Sequence, residues 1–131
     1  MKILEAYVSK GNPANITKVS DNWWRINEDL IYIVITSDCM VKHVVPKGFE
    51  CDMASIPPQF LWLFGSKPYI MQTAGILHDY FYKNHGVNRD YADMVMLRLM
   101  EKYNNPKDNW KKQAIYWAVR AFGGKPWKTK S

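Results

Sequence analysis

Residues 74–99 read AGILHDYFYKNHGVNRDYADMVMLRL, and they decide the second half of the chain. Apolar side chains at Ile70, Ala74, Leu77 and Phe81 recur every three or four residues, the stripe of one helix face. That spacing predicts a helix over 69–84. Asn88 is placed to cap a second helix running to about Tyr103, because an Asn side chain accepts from the N–H groups that a helix start leaves over. The HGVN connection is short, which makes the two helices antiparallel neighbours.

This helix pair carries polar groups where a core should form. His78 and Tyr82 are four residues apart and share a face, while Asp79 lies about 100° round the helix from His78. Asp93 sits near the start of the second helix, within reach of His78 or Tyr82 if the helices are antiparallel. A carboxylate that accepts from one imidazole nitrogen fixes the tautomer and leaves the other nitrogen as a base. Asp79 beside the histidine opposes that use unless it is occupied, and a hard cation with oxygen ligands is the expected occupant. Calcium needs several oxygens. The stretch GFECDMASIPP, residues 48–58, offers a second one in Asp52.

Upstream, the period changes. ILEAYV, NWWRIN, LIYIVIT and VKHVV are β-branched and aromatic runs separated by turn clusters such as GNPAN and SDCM, which predicts about four short strands over residues 1–46. PPQFLWLFG, ending at Gly65, reads as one short helix. Asn105-Pro106 is expected to open a last helix that Gly123-Gly124 closes. The fold class is therefore α+β: a short N-terminal antiparallel β meander followed by one short and three longer helices, with an antiparallel pair of the catalytic type. One domain is expected over 1–131, β-rich over 1–50 and helical over 51–123, with a basic tail at 124–131.

At 131 residues the chain can bury a real core without staples. With two cysteines, Cys39 and Cys51, no disulfide framework or cysteine-based zinc site is expected; free thiols made in a reducing cytoplasm are expected, a single bridge between the two being the alternative. No run approaches the ~20 apolar residues of a membrane span, and the MKILEAYVSK start has no apolar core for a signal peptide. The charge of +6 points to anionic partners. Residues 106–131 hold seven Lys/Arg against one Asp, and Trp110, Ala114, Trp117 and Ala121 form a stripe there, with Ile115, Ala118 and Phe122 beside it. That pattern serves a core-packing helix with a solvated tail, or a surface that sets Trp at headgroup depth with lysines against anionic lipid. Nucleic acid has charge in its favour but no reading motif.

Two resemblances follow from these residues. His-Asp-x-x-Tyr at 78–82, followed by Ala92-Asp93 on an antiparallel helix, resembles the catalytic helix pair of phospholipases A2, more nearly the compact bacterial and parvoviral versions. The resemblance covers roughly residues 70–100. It implies His78 as the base, Asp79 as a calcium ligand, and Asp93 with Tyr82 supporting the imidazole. The chain departs from that pattern in having no glycine-rich calcium loop and no cysteine beside His78. Separately, VPKGFECDMASIPP, AGILHDYFY and RDYADMVML, in that order, resemble a family of small phage and prophage proteins of unassigned function, with Cys51 in place of a usual threonine.

The expected function is a phage-encoded, phospholipase A2-like, metal-dependent ester hydrolase acting on membrane phospholipid. The alternative is a non-enzymatic virion protein of the tail or baseplate, bound to other virion proteins, in which the His-Asp network is buried and structural. A third option is metal-assisted cell-wall hydrolysis by the same residues. The protein is expected in the host cytoplasm when made and, on the structural reading, in the virion. Of the other polar residues, Ser55 reads as a cap or turn residue, His43 and His85 as structural, Asp90 as a helix-dipole acid, and Arg89 as the partner of a nearby acid.

Overall fold

The computed structural model describes residues 2–20, 23–51 and 72–129. The fold is α+β, as the periodicities imply: strands fill the first half and helices the second. Among the described residues there are six strands: β1 (Ile3–Lys10), β2 (Ile16–Ser20), β3 (Trp23–Ile26), β4 (Leu30–Thr36), β5 (Met40–Val45) and β6 (Glu50–Cys51). Three longer helices follow, α1 (Gln72–Asn84), α2 (Arg89–Tyr103) and α3 (Asn109–Phe122), with a short α4 (Gly124–Thr129) at the end. The short helix read in PPQFLWLFG, together with Ser55 and Asp52, lies outside the described residues.

The strands do not run as one meander. They form two antiparallel sheets, ordered β1-β4-β5 and β2-β3-β6. β1 therefore skips the β2–β3 hairpin and pairs with β4, Ala6 opposite Val34 and Val8 opposite Tyr32. β4 lies between two partners, so both of its backbone edges are paired. Its alternation sorts two faces: Leu30, Tyr32, Val34 and Thr36 are buried, while Ile31, Ile33 and Ile35 are half-buried on the other side.

The helices pack on the buried face. The Tyr32 hydroxyl donates to the Thr73 carbonyl at 2.8 Å, pinning the start of α1 to the sheet. His43 of β5 meets the Phe81 ring edge-on at 4.8 Å and receives the Tyr91 hydroxyl on Nε2 at 2.7 Å. Burial lowers the His43 pKa, and burial followed by the charge of Cys39 pushes the Tyr91 hydroxyl up to about 12. A neutral imidazole accepting from a neutral phenol is thus the form present.

α1 and α2 fold back on each other across residues 85–88. His85 (φ 54°) ends α1 in the left-handed region, and Asn88 caps α2 by accepting from Tyr91 N–H at 2.8 Å. Asn104 (φ 51°) closes α2, its N–H reaching the Glu101 and Met100 carbonyls. From there α2 guards the outer edge of β1: Arg98 Nε donates to the Ile3 carbonyl at 2.9 Å, and the Tyr103 hydroxyl accepts from Val8 N–H at 2.7 Å. An open strand edge is a template for pairing with other chains, and this one is covered.

Two expectations about the C-terminal part are corrected. Pro106 does not open α3; it lies buried in the connection, and α3 starts at Asn109 behind Asp108. The reason is Lys112, which is buried and folds its ammonium back onto Asn104 Oδ1 (2.7 Å), Asn109 Oδ1 (3.1 Å) and the Lys107 carbonyl (3.3 Å). Of the residues read as a basic tail, 124–129 form α4, packed through Trp127, which stacks on His85 at 3.8 Å and meets Tyr82 edge-on at 5.0 Å. Among the described residues no helix is long and apolar enough to cross a membrane.

Replacing Tyr103 by Phe removes the acceptor on Val8 N–H. A loss of about 0.5–1.5 kcal/mol is expected in urea denaturation, with faster hydrogen exchange at the Val8 amide and none at Val34. Unchanged exchange at Val8 would show that α2 does not seal the β1 edge.

Candidate functional site

Three helices converge on one carboxylate. Asp93 is 0% exposed in the second turn of α2. From α1, His78 Nε2 lies 2.7 Å from Asp93 Oδ1, and the Tyr82 hydroxyl donates to the same oxygen at 2.7 Å. From α3, Arg120 donates to Oδ2 at 2.7 Å. Arg89, one turn before Asp93 on its own helix, stands 3.7 Å from Oδ2.

Each donor is positioned by local rules. His78 and Tyr82 are one turn apart on α1, their rings 4.2 Å apart at 38°, so both reach the same oxygen. Arg89 spreads its guanidinium over the end of α3, donating to the Val119 and Arg120 carbonyls at 2.8 and 2.7 Å. Those carbonyls belong to the last turn, where a helix runs out of its own donors. Arg120 also pairs with Asp90 at 2.6 Å. Gly123 follows directly. A Cβ there would stand 2.4 Å from the Val119 carbonyl oxygen and 2.7 Å from the Tyr82 hydroxyl, so glycine lets the chain pass close to the site.

The electrostatics keep Asp93 ionised and Tyr82 protonated. Burial pushes the Asp93 carboxyl upward, but hydrogen bonds from His78, Tyr82 and Arg120 outweigh it and hold the group below the usual carboxylate range. Burial, then the Asp93 charge, raises the Tyr82 phenol, so Tyr82 stays protonated and donates. An ionised Asp93 only accepts. His78 Nε2 must therefore carry the proton it gives to Asp93. The opposite nitrogen, Nδ1, is buried with no hydrogen-bond partner among the described residues.

A model of the DUF1353 family, described as a protein of unknown function, matches residues 24–119. The chain belongs to the DUF1353 family. No curated protein and no solved structure matches it. The DUF1353 match takes in His78, Tyr82, Arg89 and Asp93 and stops one residue short of Arg120.

Sequence reasoning for this DUF1353 chain named His78, Tyr82 and Asp93, and the structure brings all three together. It also gave Arg89 an acidic partner, which is Asp93. Asp90 does more than favour a helix start, since it holds Arg120. What the sequence did not signal is Arg120 itself: 27 residues from Asp93 and on another helix, it obeys no spacing rule. His85 acts structurally, as expected, donating from Nε2 to the Trp127 carbonyl at 2.8 Å.

Asp79 faces a different space. Its carboxylate is fully buried, and the Lys83 ammonium stands 3.9 Å from Oδ2, one turn along α1. Lys83 also donates to the Glu50 carbonyl at 2.8 Å and lies over Trp23 and Phe49 at 4.7 and 5.1 Å. Of the two expected calcium ligands, Asp52 lies outside the described residues. Among those described, no group of three His, Cys, Asp or Glu side chains could hold a metal ion. Among the described residues, Asp79 offers one carboxylate with an ammonium beside it, where calcium takes six to eight oxygens.

Replacing Asp93 by Asn should destabilise the protein by about 3–5 kcal/mol, because it strands the buried ends of His78 and Arg120. The folded carboxyl titrates below its unfolded value of about 3.9, so its contribution is fully present above about pH 4 and fades as the pH falls further. Urea denaturation across a pH series should show the wild type losing more stability than the variant between neutral and strongly acid pH. Parallel profiles would mean that Asp93 is not held ionised.

Proposed function

We propose that this DUF1353 protein is a phage- or prophage-encoded hydrolase of the phospholipase A2 type, with His78 as general base and membrane phospholipid as substrate. The observation that carries the reading is the state of the His78 ring: Nε2 committed to Asp93 and Nδ1 buried without a partner among the described residues. A neutral imidazole held this way has one orientation, one tautomer and one available lone pair. The viral source rests on the order of the VPKGFECDMASIPP, AGILHDYFY and RDYADMVML stretches.

In this mechanism Nδ1 takes a proton from water as the water oxygen bonds to the ester carbonyl carbon. The imidazolium then returns the proton to the departing alkoxide as the ester C–O bond breaks, leaving a fatty acid and a lysophospholipid. Asp93 keeps its charge throughout, held by Tyr82 and Arg120, and so stabilises the transient imidazolium. A bound calcium ion would supply Lewis-acid stabilisation of the oxyanion, but the described donors do not make such a site and no step is drawn through it. His78 is only 2% exposed, so turnover requires the surroundings of Nδ1 to open to water and ester.

One observation favours a second reading. Both Asp93 oxygens are satisfied and the carboxylate is closed off from solvent, as a network that only ties α1, α2 and α3 together would be. In that case the protein is a virion component and the cluster is its fastener.

Hydrolysis of fluorescent phospholipid vesicles, assayed with millimolar calcium and with chelator, separates the two. On the hydrolase reading the wild type is active, and His78→Ala lowers the rate about 10²–10⁴-fold while circular dichroism shows the helices intact. Activity that survives in His78→Ala would sink the mechanism. A wild type inactive on phospholipid in both conditions would favour the structural reading, and release of peptidoglycan fragments instead would move the same residues to cell-wall chemistry.

A further inference from the structure

α3 has two unlike sides. Ile115, Ala118 and Val119 are buried, and Lys112 turns inward with them. On the other side Trp110 is 56% exposed and Trp117 is 64% exposed, with Phe122 47% exposed at the helix end. Trp110, Ala114, Trp117 and Ala121 recur at i, i+4, i+7 and i+11, so they make one stripe, and the two indoles stand about 10 Å apart along the axis. Trp is the residue an ordinary surface is least expected to show twice on one helix face.

The charge of this stretch of chain is mostly positive. Between Asn104 and Thr129 the only acid is Asp108, 3.7 Å from Lys111. Lys107, Lys125 and Lys128 are exposed or half-buried near the two ends of α3. The one arginine of α3 is committed inward, to Asp93 and Asp90, so planar bidentate recognition of a nucleic-acid backbone or base is not on offer. The face therefore shows a pair of exposed amphipathic indoles, with the Lys111 ammonium 5.7 Å from the Trp110 ring and further lysines near the helix ends in sequence. Indole rings settle at the depth where hydrocarbon gives way to headgroups, and lysine ammoniums are drawn to anionic headgroups above them.

We propose that the exposed face of α3, centred on Trp110 and Trp117 and rimmed by Lys107, Lys111 and Lys125, is a docking surface for an anionic phospholipid bilayer. The inference deepens the hydrolase reading by naming the surface that would bring the site to its substrate, but its geometry owes nothing to His78. The helix lies flat in the headgroup plane with its indoles inserted, as a 14-residue amphipathic helix does.

The test uses the full chain and vesicles of phosphatidylcholine alone or with one third phosphatidylglycerol. Co-sedimentation should show binding to the anionic vesicles about tenfold or more tighter than to the neutral ones, weakened by salt, with a blue shift of tryptophan emission. Trp110→Ser/Trp117→Ser should lose about tenfold or more in affinity, and its unchanged melting temperature would show that the fold is kept. His78→Ala should bind like the wild type, so that a failed hydrolysis assay and a failed docking surface are told apart. Equal binding by the double Trp variant, or none by the wild type, overturns the proposal. Trp-dependent self-association in the ultracentrifuge without vesicle binding overturns it too, and would give the face to a second copy of the chain.

Discussion

A carboxylate taken out of water costs several kcal/mol unless donors replace the lost hydration, and Asp93 is taken out completely. Its replacements come from α1 and α3 as well as from its own helix. Such a cluster contributes little net stability compared with apolar residues of the same volume, but it tolerates one arrangement only. α1 must present His78 and Tyr82 to one oxygen, and α3 must bring Arg120 to the other. The packing of the helical half follows from that: Arg89 finishes the end of α3, Gly123 lets the chain pass the Tyr82 hydroxyl, and Trp127 closes over Tyr82 from α4.

The sheet anchors the helices that carry this cluster. Tyr32 fixes the start of α1 through the Thr73 carbonyl, and the His43–Tyr91 bond fixes the start of α2. These two anchors lie on β4 and β5, adjacent strands whose register is set by the Tyr32–His43 pairing. The chemistry proposed for His78 therefore depends on a backbone ladder in the first half of the chain, far from it in sequence.

How much of this could be read beforehand follows from the range of each rule. The helix pair and its His78–Tyr82–Asp93 contact were legible because all three lie within 16 residues, where helical period and a short connection decide who meets whom. Asn88 was legible for the same reason. The β1–β4 pairing was not, since strand propensity says that a segment is extended but not which partner it takes. Arg120 was hidden by distance in sequence. Lys112 and Trp127 were hidden by chemistry: a lysine and a tryptophan in a basic stretch look solvated until Asn104, Asn109 and His85 are seen to receive them.

The seal on β1 has a consequence in time. The groups that close this edge, Arg98 and Tyr103, stand 95 residues after Ile3 and Val8. At ordinary translation speeds of 5–20 residues per second, β1 waits roughly 5–20 s for them. Throughout that interval ILEAYV offers an unprotected β-rich edge. Closing so long a loop is also the entropically slow kind of event. β1 is thus made long before the groups that secure it, and crowding among nascent copies is the hazard this topology carries.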